Sequence, residues 1–212
     1  MSQLKNIIFD LGGVLLNLDV PGCMEKLERV GLCEVRKWMT GTNESGFFKD
    51  YEAGLLTTAQ FYKKIRQSVG SQLSDGEIGK IWNSMLKEIP AYKLDLLWSL
   101  KKDYNLYLLS NTNELHWQVC TDKFAYKGRQ VQDYFARIFL SFQMHLVKPD
   151  TGIFREVLKE AGLIAEETLF VDDSEVNCLS AASLGINVLH YIPGDDLAVQ
   201  LQKNMVNNGN SN

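Results

Sequence analysis

A chain of 212 residues with a formal net charge of -4 has room for one α/β core plus a smaller inserted piece, and carries no basic stripe for nucleic acid. Its hydrophobic fraction of 45% and charged fraction of 23% are those of an ordinary globular protein, and no apolar run approaches the ~20 residues that span a bilayer. Met1 to Lys5 shows no secretory signal, and Cys23, Cys33, Cys120 and Cys178 make no Cys-x-x-Cys pair, so reduced thiols in a cytoplasmic protein are expected.

In chain order, Ile7, Ile8 and Phe9 read as a strand covered on both faces, because β-branched and aromatic residues follow one another without a polar break. Asp10 stands at its carboxyl end, followed by Gly12 and Gly13, which let the backbone turn sharply close to an anion. Asp19 and Pro21 mark a helix start, with a helix from about Pro21 to Gly31 and another through Val35 to Met39. Thr40 to Gly54 breaks the pattern and is predicted as an exposed loop or short-helix region. A helix capped by Thr57 or Thr58 carries Phe61, Ile65 and Val69 on one stripe. Ser74 and Glu77 then have capping-box spacing ahead of a helix that should run to Pro90.

From Tyr92 the pattern alternates helix and strand: a helix with Leu94 and Leu97, a strand Leu106 to Leu109, a charged helical stretch Asn113 to Phe135, a strand near Ile138 to Ser141 and a helix Thr151 to Ala161 closed by Gly162. A strand Thr168 to Val171, a helix opening at Ser174 and a last strand Asn187 to Tyr191 follow. The fold class is therefore α/β, a doubly wound parallel sheet with an inserted helical piece. The division expected is residues 1–18 and 90–203 as core, 19–89 as a helical cap and 204–212 as a disordered tail.

Ligands of such sheets bind outside the carboxyl ends of the strands, and the polar residues fall there: Asp10, then Ser110-Asn111, then Lys148-Pro149, then Asp172-Asp173. In that order, this set resembles the haloacid dehalogenase superfamily of hydrolases along the whole chain. The resemblance implies a doubly wound core, Mg2+, and Asp10 as the nucleophile that forms an aspartyl-phosphate. It also implies Asp10, the Gly12 carbonyl and Asp173 as metal ligands, with Asp172 assisting. Charge supports a cation independently: three carboxylates against Lys148 would otherwise force one towards protonation. For a phosphate monoester, the Ser110 hydroxyl and Asn111 amide suit the phosphoryl oxygens, and Lys148 would hold both nucleophile and phosphate.

One departure matters. Most phosphatases of this superfamily carry a second Asp two residues after the nucleophile as general acid and base, and here that position is Gly12. General acid-base help is worth roughly 10² to 10⁴ in rate. Asp19, Asp50, Glu52 or His116 can substitute; alternatively the leaving group is good, as at an anomeric sugar phosphate, or the protein only binds its ligand. SNTNELH from Ser110 and VKPDTGIF from Val147 look most like the subgroup with bacterial α-D-glucose-1-phosphate phosphatase and the amino-terminal phosphatase domain of soluble epoxide hydrolase. Gly at the second-acid position also occurs in this subgroup's bacterial sugar phosphatases. The rival activity is 2-haloacid dehalogenation, which needs no metal and gains nothing from Asp172-Asp173. A phospho-acceptor receiver domain places its acidic pair on the first strand, the reverse of this order. The expected function is thus Mg2+-dependent hydrolysis of a small phosphorylated metabolite such as a sugar phosphate, with no nucleic-acid or membrane partner. The loop from Thr42 to Tyr51 is the expected substrate selector.

Overall fold

The computed structural model describes residues 3–32, 46–69 and 73–209. Five parallel strands form one sheet in the order β3-β2-β1-β4-β5: β1 Asn6–Phe9, β2 Asn105–Ser110, β3 Arg137–Leu140, β4 Thr168–Asp172 and β5 Asn187–His190. Ile7, Ile8 and Phe9 have no exposed surface, as their uninterrupted apolar run requires. Burying each contributes roughly 1.5–3 kcal/mol. Because β1 lies between β2 and β4, with Phe9 opposite both Leu108 and Val171, the residue after it emerges at the middle of the sheet's carboxyl edge.

Among the described residues, the helices between β1 and β2 are α1 Val20–Arg29, α2 Phe47–Glu52, α3 Thr58–Val69 and α4 Asp75–Trp82, the last continued by a 3-10 turn at Asn83–Met85; α5 Ala91–Leu100 then leads into β2. α1 to α4 bury their own cluster, including Leu27, Phe48, Phe61, Ile65 and Trp82, separate from the two clusters that pack on the faces of the sheet. This helical insert joins the core through two adjacent legs. Leu18 bridges Leu86 in antiparallel fashion, and Asn17 and Lys87 exchange backbone hydrogen bonds with Glu88 and Asn17. The remaining helices are α6 Glu114–Lys123, α7 Val131–Tyr134, α8 Ser141–Met144, α9 Thr151–Ala161, α10 Glu175–Ala182 and α11 Leu197–Gly209.

Local chemistry accounts for most boundaries. Ser74 and Glu77 form the capping box, Thr57 and Gln60 exchange side-chain and backbone bonds ahead of α3, and Gly162 ends α9 in the left-handed conformation at φ 64°. Four expectations need correction. Residues 47–52 form a short helix, one of the two forms expected, but its Phe47, Phe48 and Tyr51 are buried rather than exposed, because Phe48 stacks on Trp82 and Tyr51 on Phe61. The helix opened by Ser74 stops at Trp82, well before Pro90, where the chain turns back towards the core. The stretch after Lys123 is a short turn bridged at Tyr126 and Arg129, then α7. Asn204 to Gly209 continue α11 instead of forming a disordered tail, since Leu197, Leu201 and Met205 recur at helical spacing against the core. The helix expected over Val35 to Met39, and Thr42 to Ser45 of the expected selector loop, lie outside the described residues.

Candidate active site

The ends of β1, β2 and β4 and the loop after β3 converge on one buried ion network. Asp10 follows β1, and its amide donates to the Val171 carbonyl at 2.9 Å, so the sheet ladder itself fixes its height. The Lys148 ammonium donates to Asp10 Oδ1 at 2.7 Å, to Asp172 Oδ2 at 2.7 Å and to the Leu109 carbonyl at 3.1 Å. Its three donors are thereby used. The loop that carries Lys148 is held in turn by Asn111, whose amide exchanges two hydrogen bonds with the Lys148 backbone at 2.8 and 2.9 Å. Asp172, with no exposed surface, is held on its other oxygen by the Ser174 amide and by Asn177 Nδ2.

Asp173 completes the cluster: one carboxylate oxygen from each of Asp10, Asp172 and Asp173 lies within 4.8 Å of the others. Gly13 makes room for it. At φ 81° a side chain is already strained, and a Cβ there would stand 2.2 Å from Asp173 Oδ2. Electrostatics describe a site short of positive charge. Burial, partly offset by Lys148 and reinforced by Asp172, pushes the Asp10 carboxyl up to about 7. Burial, then Asp172, also raises Asp173. Burial opposes the Lys148 charge, but Asp10 and Asp172 outweigh it and hold the ammonium above the usual lysine range. One ammonium among three carboxylates leaves room for a divalent cation, and an all-oxygen donor set fits Mg2+. Gly12, whose carbonyl is the further expected ligand, lies in the same turn.

A cavity of about 110 Å³ opens beside this cluster, lined by Gly12, Glu52, Ser110, Asn111 and Thr112 on its polar side and by Leu18, Trp82, Met85 and Leu86 among its apolar walls. Helical insert and sheet edge thus meet over the strand ends. One of the hydrogen bonds that join them runs from Ser141 Oγ to the Glu52 carbonyl at 2.6 Å, with the same hydroxyl accepting from the Thr112 amide.

The four substitutes considered for the missing acid are not equivalent. Asp19 accepts from the Gly22 amide as the cap of α1 and pairs with Lys87 at 2.9 Å. Asp50 is exposed on α2. Neither lines the cavity. His116 does, and it is buried rather than on a helix surface. Its ring stacks on Trp82 at 4.8 Å, its Nε2 meets the Trp82 carbonyl and its Nδ1 meets Asn113 Nδ2, each at 3.3 Å. Both nitrogens are engaged, and burial pulls the imidazole down to about 4. Among the four, Glu52 is the one carboxylic residue that lines the cavity. Asn177, Ser141 and Trp82 escape sequence reasoning, because each acts through a partner that the local pattern does not reveal; the Asp-Asp-Ser helix start is the one local hint of Asn177.

His116 carries a stability prediction. Its folded value near 4 lies below the ordinary 6.5, so the unfolded chain gains its proton first as pH falls. The stability tied to neutral His116 is whole above about pH 6.5 and is lost progressively towards pH 4. His116→Gln should flatten that fall, by up to about 3 kcal/mol across the window. Denaturant titrations of both proteins at about pH 7.5 and about pH 5 check it; equal losses in the two would contradict it.

Comparison with known proteins decides the family. A model of haloacid dehalogenase-like hydrolases matches residues 4–185. The chain belongs to the haloacid dehalogenase-like hydrolases. Within that family it is 32% identical over 201 residues to D-ribitol-5-phosphate phosphatase of Bacteroides thetaiotaomicron, covering 94% of this chain and 97% of that protein. A haloacid dehalogenase family enzyme from Bacteroides thetaiotaomicron, solved in complex with magnesium and inorganic phosphate, superposes with a TM-score of 0.87 at 43% identity, over 92% and 98% of the two chains. A predicted family hydrolase from Porphyromonas gingivalis superposes with a TM-score of 0.88 at 30% identity, over 95% and 98%. The chain is an enzyme of the family, a phosphoric monoester hydrolase of the haloacid dehalogenase type.

Proposed function

We propose that this haloacid dehalogenase-type hydrolase is a Mg2+-dependent phosphatase of small, uncharged polyol or sugar phosphates, with its helical insert acting as the cap that selects them. The observation that carries this reading is the pairing of an acidic, cation-attracting floor with a cavity that has no cationic side chain in its lining among the described residues. The floor, Lys148 with the acidic cluster, suits one phosphoryl group and its metal. The walls suit a leaving group with hydroxyls and carbon but no second anion. The full-length similarity to D-ribitol-5-phosphate phosphatase points to the same class of ester.

The mechanism follows from the side chains. Lys148 and the β1–β4 ladder hold Asp10 through Oδ1 and the backbone, which leaves Oδ2 to attack phosphorus. The Ser110 hydroxyl and the Asn111 amide, at the end of β2, bind the non-bridging oxygens. Asp10, Asp172, Asp173 and the Gly12 carbonyl would hold Mg2+, which neutralises charge between the carboxylate and the phosphate dianion. Attack by Asp10 gives an aspartyl-phosphate and frees the alcohol; water then cleaves the acyl phosphate and restores Asp10. Trp82, Met85 and Leu86 exclude bulk water from the reacting centre.

The test is phosphate release, with and without Mg2+, from D-ribitol 5-phosphate, other sugar and polyol monophosphates, phosphoserine and a sugar bisphosphate. Metal-dependent release favouring the monophosphates of neutral polyols and sugars is the expected result. Release of chloride from a 2-haloacid without metal, with no phosphate released from any ester, would replace this reading by the dehalogenase one.

A further inference from the structure

We propose that Glu52, presented by α2 of the helical insert, is the proton donor and acceptor of the reaction, taking the role that position 12 cannot fill; this rests on the phosphatase reading above. Gly12 offers no side chain to carry a proton, and the Leu18 side chain stands where one would begin, its Cδ1 3.0 Å from the place of a Cβ at position 12. The proton must come from another wall of the same cavity.

Among the described residues, three titratable ones line that cavity: Glu52, His116 and Cys120. His116 has both nitrogens committed to Trp82 and Asn113. Burial pushes the Cys120 thiol up to about 12, far from any useful exchange near neutrality. Glu52 is left. No hydrogen bond or ion pair to its carboxyl is found among the described residues, while its backbone carbonyl is anchored by Ser141. The backbone is held and the carboxyl is uncommitted. Its surroundings also favour proton exchange, since burial, against a weaker pull from Lys148 and then Lys49, raises the carboxyl to about 7. That value places a carboxylic acid and its base at comparable populations near neutral pH.

The protons then balance. As the Asp10 oxygen bonds to phosphorus and the phosphorus–oxygen bond to the leaving group breaks, the Glu52 proton passes to the departing alkoxide, which leaves as the alcohol. Glu52, now a carboxylate, takes a proton from the incoming water while the water oxygen bonds to phosphorus and the Asp10 carboxylate departs. Glu52 ends protonated, as it began.

The test compares the parent and Glu52→Gln, in Mg2+, on D-ribitol 5-phosphate and on p-nitrophenyl phosphate, whose leaving group needs no proton. Turnover of the polyol phosphate is expected to fall by about 10² to 10⁴. On the aryl ester the variant should release a burst of one nitrophenolate per active site and then stall, with acid-stable label from phosphate retained on the protein. Equal slowing on both esters with no burst, or unchanged turnover on the polyol phosphate, would overturn the proposal. Glu52→Asp should show the same burst with a smaller fall, and provides the readout if the glutamine variant does not fold. A parent that releases phosphate from neither ester overturns the phosphatase reading itself, and this assignment with it.

Discussion

Asp10→Asn is expected to lower phosphate release by at least about four orders of magnitude, since removal of a nucleophile leaves only binding and charge stabilisation behind. It is expected to do so without weakening the fold. Asp10 sits buried against Asp172 and its charged form is disfavoured, with the carboxyl pushed up to about 7. An amide of the same shape keeps an oxygen facing the Lys148 ammonium, 2.7 Å away in the parent, and removes one of three crowded negative charges. Stability equal to or above the parent, beside abolished turnover, is the signature of a residue kept for chemistry rather than packing. Phosphate release and denaturant titration on the same preparations check both halves. A variant that retains more than about 1% of turnover would exclude Asp10 as nucleophile.

Lys148→Met should do the reverse, damaging the fold as well as the chemistry. The methionine stem fills most of the same volume, but Asp10 and Asp172 lose the ammonium that each contacts at 2.7 Å. Removing one partner of a buried ion pair typically costs about 3–5 kcal/mol, because a charge is left buried and uncompensated. The sign with pH is fixed. Without Lys148 the Asp10 carboxyl rises further above its unfolded value of 3.8, so the folded state holds protons that the unfolded chain has lost. The variant is then least impaired in acid, and its deficit grows as pH rises through the folded value. Added Mg2+ should recover part of the loss by supplying cationic charge at the same carboxylates. Unfolding measured at about pH 5 and about pH 8, with and without Mg2+, tests this; a deficit below about 1 kcal/mol at the higher pH would show that the network contributes little to the fold.

The contrast between these variants explains what sequence can reveal about such a site. Asp10, Ser110, Lys148 and Asp172 are readable because each sits at or just past a strand end, and a buried parallel strand announces itself as an apolar run. β2 and β4 exceed their predicted spans by a residue or two only. The order of the strands in the sheet then brings together positions that are far apart in the chain. The insert is harder. Phe47, Phe48 and Tyr51 lie among glycines and charged residues, and the rings that pack on them, Phe61 and Trp82 among others, come from later helices. Glu52 follows directly from that burial, since the helix that packs those rings also carries its last residue into the cavity beside Gly12. The burial of His116 is hidden for a related reason: a histidine one turn into a helix is usually solvated, and the stacked indole of Trp82 comes from a different part of the molecule. Residues whose surroundings are supplied by another element stay invisible until that element is placed.

The sheet order has a consequence for biosynthesis. Asp10 leaves the ribosome well before its acidic partners at the end of β4, the strand that flanks β1 on the side opposite β2. Such distant parallel pairing forms slowly. A nascent chain that has not yet exposed β4 therefore holds Asp10 without the carboxylates that complete its site, and hydrolytic competence arrives only when the fourth strand has docked.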